Sequence, residues 1–230
     1  MKKALPPGQI ESDIFPRFGL SQYADRFPTK VDHVSIVVSG DGFEDTDLSK
    51  ELVSFPRVEQ ISDFHCVATW SMTSQVWRGI RFGDFYNELV QPLSENSGEL
   101  KFVVLKAQDG YKTSMLLEDL LQDNVMLADQ LNGKPLTIEH GAPIRLVAPD
   151  HYGYKNLKHI QRIEFYAEKK KVKQGLLGFM DHPRARVAKE ERAVGGPGWL
   201  FRYLYRPLIK STVKQFDSAM KTHYTEQNSK

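Results

Sequence analysis

Cysteine is almost absent from the chain: of 230 residues only Cys66 carries a thiol. One cysteine excludes an internal disulfide, and it excludes the cysteine-rich zinc and iron–sulfur sites that need several thiolates. A run of 18 apolar residues is also missing, so no transmembrane helix is expected. Charge of one sign is lacking too. Lys and Arg number 31 against 29 Asp and Glu, a net charge of +2 that is too balanced for a nucleic-acid-binding protein. Lys2 and Lys3 have no apolar segment behind them, and no twin arginine follows. That start does not read as a secretory leader, so the cytoplasm is the expected compartment, or the periplasm if a signal peptide has been removed. Internal repeats and low-complexity tracts are absent as well.

What is present suits one large globular domain, with 40% hydrophobic and 26% charged residues. The first 30 residues, with Pro6, Pro7, Pro16 and Pro28, read as an irregular wrap. Val31, Ser35, Ile36, Val37 and Val38 before Ser39-Gly40-Asp41-Gly42 predict a strand and turn. Further strands are predicted at 101–107, 143–147 and 160–166, and Asn132-Gly133 marks a turn between 125–131 and 135–138. Thr113 is placed to cap a short helix over 114–122. With few, short helices and no regular strand–helix alternation, the fold class expected is α+β with a mixed sheet. The main domain is set at residues 1–180. Residues 181–230 form a carboxyl-terminal extension, aromatic and basic from Trp199 to Lys210, in which Pro207 interrupts one helix and opens another at Leu208. That extension either packs over the domain or docks a partner or membrane surface.

Two stretches can carry chemistry. Around Cys66 the chain reads Asp-Phe-His-Cys-Val-Ala-Thr-Trp-Ser-Met, with Phe64, Val67 and Trp70 able to bury the backbone. A thiolate is a soft ligand, and a bound metal removes its proton. Taken locally, a small buried packing cysteine is the commoner case. Residues 131–165 place His140, Arg145, Lys155 and Lys158 around turns at Gly141, Pro149 and Gly153, where fixed and mobile cations suit a phosphate. Plain turns with solvated cations fit the same stretch.

In order, Cys-Val-x-x-Trp-Ser-Met, Trp-x-Gly, Asn-Gly-x-Pro-Leu, His-Gly-x-Pro-x-Arg-Leu and Tyr-Gly-x-Lys-x-x-Lys resemble the molybdopterin-binding domain of the sulfite oxidase and periplasmic methionine-sulfoxide reductase family. The resemblance covers residues 12 to 167, and Asp181-His182-Pro183-Arg184 echoes the methionine-sulfoxide reductase branch. It implies a sulfite-oxidase-type α+β domain and a molybdenum–molybdopterin cofactor with one pterin. The metal ligand it implies is Cys66. Cofactor contacts would come from Arg145, His140, Asn156, Leu157 and Lys158, the last for the pterin phosphate, and from Asp13, Phe15 and Arg17 near the amino end.

The departures bear on substrate. Ala68, Thr69, Trp70 and Ser71 stand where sulfite-oxidising members carry arginines, and Asp129 falls where they have a catalytic tyrosine. Ala107 occupies a position that often holds a pterin-contacting hydroxyl. No haem-attachment motif and no immunoglobulin-like dimerisation domain are found, so a monomer is expected, with an external haem or flavin protein as electron partner. Two-electron oxygen-atom transfer from a small S-oxide or N-oxide is the first expectation. Oxidation of sulfite with replacement cations at Arg78, Arg81 or Lys112 is the alternative, and a non-catalytic pterin-binding module the third.

Overall fold

The computed structural model describes residues 4–94, 100–170 and 182–229. The boundary expected at 180/181 and Asp181 of the Asp-His-Pro-Arg echo lie outside these residues. Two sheets make the frame. In the first, β1 (Ile10–Glu11), β5 (Trp70–Arg81), β8 (Met126–Leu131) and β10 (Arg145–Val147) run in that order, with β4 (Val58–His65) also on β5 and β9 (Lys134–Pro135) on β8. In the second the order is β3 (Phe43–Asp47), β2 (Val37–Gly40), β11 (Ile160–Tyr166), β6 (Phe102–Ala107) and β7 (Lys112–Leu116). β1 lies parallel to β5 and β2 to β11, while the other pairs are antiparallel, so both sheets are mixed as expected.

Ile80, Leu127 and Leu146 of the first sheet share the largest apolar cluster with Val103, Leu105, Ile163 and Phe165 of the second. Burial of this cluster is the main force joining the sheets. Short helices α1 (Ser49–Ser54), α2 (Phe82–Asp84) and α3 (Leu117–Leu120) border it, and α4 (Gly198–Tyr205) and α5 (Leu208–Asn228) form a carboxyl-terminal arm. No helix among the described residues is long and apolar enough to cross a membrane.

Three expectations are corrected. The helix predicted over 114–122 is a strand through Leu116 and only then one helical turn, capped by Leu116 rather than Thr113. Thr113 and Met115 are buried between a more exposed Lys112, Ser114 and Leu116, the period of a strand, and the Asp109-Gly110 turn sets Thr113 opposite Leu105. The strand expected from Val31 begins only at Val37. Helices are not all short, because α5 runs for 21 residues after Pro207, which starts it as the sequence suggested.

Candidate active site

Cys66 sits in the turn joining β4 to β5, the longest hairpin of the first sheet. Its amide donates to the Trp70 carbonyl at 2.9 Å and its own carbonyl accepts from Thr69 at 3.0 Å, closing the turn. Thr69 takes a left-handed φ of +83°, a conformation L-residues adopt only when the surroundings hold it. Those surroundings come from three distant segments. Gln9 Nε2 reaches the Cys66 carbonyl at 3.1 Å, Gly153 N the His65 carbonyl at 2.8 Å, and Arg206 Nε the Thr69 hydroxyl at 3.2 Å. Arg192, fully buried, donates from Nη1 to the Val67 carbonyl and from Nη2 to that of Pro7. The Ser71 hydroxyl gives its proton to Gln9 Oε1 and therefore accepts from His65 Nδ1, both at 2.8 Å. Burial pushes the Cys66 thiol up to about 12, against smaller opposing effects of the Ala68 amide, Arg192 and Lys158. Left alone, the sulfur keeps its proton.

The thiol opens on a cavity of about 530 Å³. Phe15, Phe64, Val67 and Trp70 beside Cys66, with Tyr205 and Leu208 from the arm, give it an apolar lining. Phe15 packs on Phe64 at 4.9 Å and edge-on to Trp70 at 5.9 Å. Its polar lining includes Arg17, Asp109, Tyr111, Asn156 and Lys158. A wider cleft of about 630 Å³ lies between Asp25 and α5, and none of the residues singled out from the sequence as site candidates lines it.

Cations dominate the polar part. Lys158 Nζ donates to the Glu139 carbonyl at 2.6 Å, and Arg145 donates to the carbonyls of His140 at 2.9 Å and Asn156 at 3.2 Å. Arg17 is held by the carbonyls of Ala24 at 2.6 Å and Arg26 at 2.8 Å, between the rings of Phe27 and Phe216. None of the three is in an ion pair among the described residues; carbonyl oxygens stand in for the anion. Burial, then the charge of Arg145, lowers Lys158 to about 7, and burial lowers Arg145 to about 9, where it remains cationic at neutral pH. His140, lowered to about 4 by burial and by Lys158, is neutral and leaves a buried Nδ1 without a partner. Gly141, at a φ of +110°, lets the cations meet, since a Cβ there would lie 3.0 Å from Arg145 Cβ and 3.1 Å from Lys158 Cβ.

Of the residues singled out in the sequence, Cys66, Phe15, Arg17, Asn156, Leu157 and Lys158 line this one cavity. Arg145 and His140 stand just behind, Arg145 with its guanidinium 5.2 Å from the Phe64 ring and His140 with its ring 4.8 Å from that of Phe15. The Asn156 side chain is engaged elsewhere, bridging the Ala148 amide at 2.7 Å and the His151 carbonyl at 3.1 Å, so it shapes the 148–156 loop. Three others are not brought to the lining. Asp13 is exposed, Ala107 is in the core between the sheets, and Asp129 pairs with Arg57 at 3.0 Å and Arg78 at 3.8 Å. Sequence reasoning missed Gln9, Tyr111, Arg192 and Phe216, which no motif marks.

These residues fit a molybdopterin. Among the described residues no three His, Cys, Asp or Glu side chains gather to hold a metal by themselves, so at Cys66 they offer a metal one thiolate, a set that a dithiolene would complete. Cations short of an anion, with an orphaned His140 nitrogen behind them, fit its phosphate and ring.

Comparison with known proteins agrees. Residues 26–174 match the model of the oxidoreductase molybdopterin binding domain. An uncharacterized oxidoreductase of Bacillus subtilis, YuiH, is 38% identical over 122 residues, which is 52% of this chain and 58% of that one. The protein-methionine-sulfoxide reductase catalytic subunit MsrP of Campylobacter jejuni is 34% identical over 151 residues, 59% of this chain and 50% of that one. The chain thus spans about half to three-fifths of the length of these relatives. Among solved structures, the sulfane dehydrogenase SoxCD of Paracoccus pantotrophus aligns with a TM-score of 0.53 at 21% identity, over 66% of this chain and 43% of that one, a likeness of fold.

Proposed function

The chain belongs to the oxidoreductase molybdopterin-binding domain family, and from that premise we propose that it is a molybdenum enzyme reducing a small, uncharged S-oxide or N-oxide. The observation that carries this reading is the single cavity shared by the Cys66 thiol, an apolar wall and cations that are in no ion pair among the described residues. Cys66 is the thiolate ligand. As a metal ligand its buried sulfur would be a thiolate, an anion that Arg192 and Lys158 favour. Lys158 and Arg145 would hold the pterin phosphate, Arg17 would reinforce their field, and His140, Phe15, Asn156 and Leu157 would shape the pterin pocket. When bound, the cofactor supplies the two-electron redox chemistry.

The remaining work belongs to the chain. Trp70, Val67, Tyr205 and Leu208 exclude water and offer an entering substrate apolar contact rather than charge. This favours an uncharged oxide over sulfite. None of the replacement cations expected for sulfite lines the cavity: Arg78 stands near Asp129, Arg81 donates to Gln60, and Lys112 is exposed. A relative named as a methionine-sulfoxide reductase supports an S-oxide. Electrons come from an external haem or flavin protein. Asp129 enters this reading as the partner of Arg57 and Arg78.

The test is metal analysis of protein made in a host that synthesises the cofactor, with rates for methionine sulfoxide reduction and sulfite oxidation using an artificial electron carrier. Near-stoichiometric molybdenum that Cys66→Ser removes, with oxide reduction the faster reaction, is expected. Wild-type protein without molybdenum overturns the cofactor assignment, and faster sulfite oxidation overturns the direction.

A further inference from the structure

Helix α4 is apolar on more sides than packing requires. Phe201 and Tyr205 face inward and join Phe64, Cys66, Ala68 and Trp70 in one cluster. On the outside, Trp199 is 55% exposed, Leu200 42%, Tyr203 61% and Leu204 55%, and Leu208 past the bend is 53% exposed. Positions 199, 200, 203 and 204 lie on one side of a helix, so these side chains form a ridge. Exposed apolar residues scattered singly need no explanation, but a contiguous aromatic and aliphatic ridge does.

The charge along this ridge has one sign. From Gly198 to Phe216 the chain holds Arg202, Arg206, Lys210 and Lys214 and no Asp or Glu. Lys210 and Lys214, four apart in α5, share one side of that helix. Arg202 pairs with Glu190 and Arg206 serves Thr69, while Lys210 and Lys214 are exposed and in no ion pair among the described residues. Trp and Tyr rings with leucines beside lysines are the chemistry of the bilayer interface, where rings lie at headgroup depth and ammonium groups meet anionic phosphates.

We propose that α4 and the first turns of α5 dock the protein onto an anionic lipid surface, an inference independent of the reaction assigned above. Charge argues for lipid over a second copy, because a self-complementary contact through the ridge sets its lysines against each other with no acid to receive them. Leu208 belongs both to the ridge and to the cavity lining, so docking brings the cavity beside the headgroups.

Co-sedimentation of the full chain with phosphatidylcholine vesicles, with and without phosphatidylglycerol, tests this. Binding to the anionic vesicles alone is expected, weakening with salt. Lys210→Glu with Lys214→Glu should lower the partition coefficient by about tenfold or more. Trp199→Ala with Leu204→Ser should lower it similarly, with circular dichroism and molybdenum content unchanged. No sedimentation, or sedimentation that neither lipid charge nor the substitutions alter, overturns the proposal. A dimer in light scattering that Trp199→Ala with Leu204→Ser dissolves overturns it in favour of a second copy.

Discussion

Arg192 donates to the carbonyl of Val67, the residue next to the only thiol, across a sequence separation of 125. Its Nε is paired with Glu190 at 3.1 Å, and Glu190 in turn receives Arg202 of α4. The carboxyl-terminal arm is therefore wired through one carboxylate to the turn that presents Cys66.

Replacing Arg192 by Ala strips donors from two part-buried carbonyls and removes a fully buried cation. A loss of about 2–4 kcal/mol is expected from that, since each group left unsatisfied carries its desolvation cost. Molybdenum content should fall with it. Arg192→Lys keeps the charge but not the forked geometry and should fall between the two. Urea unfolding beside metal analysis checks this; equal stability in all three proteins rules out the clamp.

A second prediction concerns Gly153, whose amide holds the His65 carbonyl. A Cβ there would lie 2.6 Å from Phe64 Cζ, so Gly153→Ala must push a ring that packs against Phe15 and Arg145. Overpacking of this kind costs about 1–3 kcal/mol, and the displaced ring narrows the cavity. A lowered Tm with reduced cofactor loading is expected, whereas Gly133→Ala, strained by its φ of +76° but with open space around its Cβ, should lower Tm and still load normally.

How much of this was legible in the chain depends on which forces mark it locally. β6 and β11 show themselves as β-branched and aromatic runs, and Asn132-Gly133 as a turn. The β4–β5 hairpin does not. Its strands are interrupted by Glu59, Ser62, Asp63, Thr73 and Ser74, and its turn uses Thr69 at positive φ in place of a glycine. Cys66, Asn156 and Lys158 were readable because motif order tied them to one pocket. Arg192 carried no motif, and the carbonyls it serves are brought to it only by the fold. Asp129 was placed by sequence position, whereas its partners Arg57 and Arg78 follow from strand register.

Asp129 supplies a third prediction. Its carboxylate is held by Arg57 and Arg78 and is absent from the cavity lining. Asp129→Asn should cost about 1 kcal/mol by weakening partly exposed pairs, with kcat/KM for an S-oxide changed by less than about threefold. A selective collapse of kcat at unchanged Tm would place this carboxylate in the chemistry.

The last prediction concerns pH. Lys158 has a folded-state value of about 7, below its ordinary 10.5, because burial and the neighbouring arginines disfavour the ammonium. Between those values the unfolded chain binds more protons than the folded one, so stability of cofactor-free protein rises with pH. The slope from this group approaches roughly 1.4 kcal/mol per pH unit at most. Lys158→Met removes the term, so the variant should be the more stable at pH 7 and lose its advantage as the pH rises past 10.5, the ordinary value of Lys158. A bound phosphate reverses the balance by stabilising the ammonium, so loaded protein should show a flatter profile and take up protons on binding. Denaturant titrations of both proteins at several pH values measure the difference directly, and parallel profiles would mean that Lys158 keeps its charge without an anion.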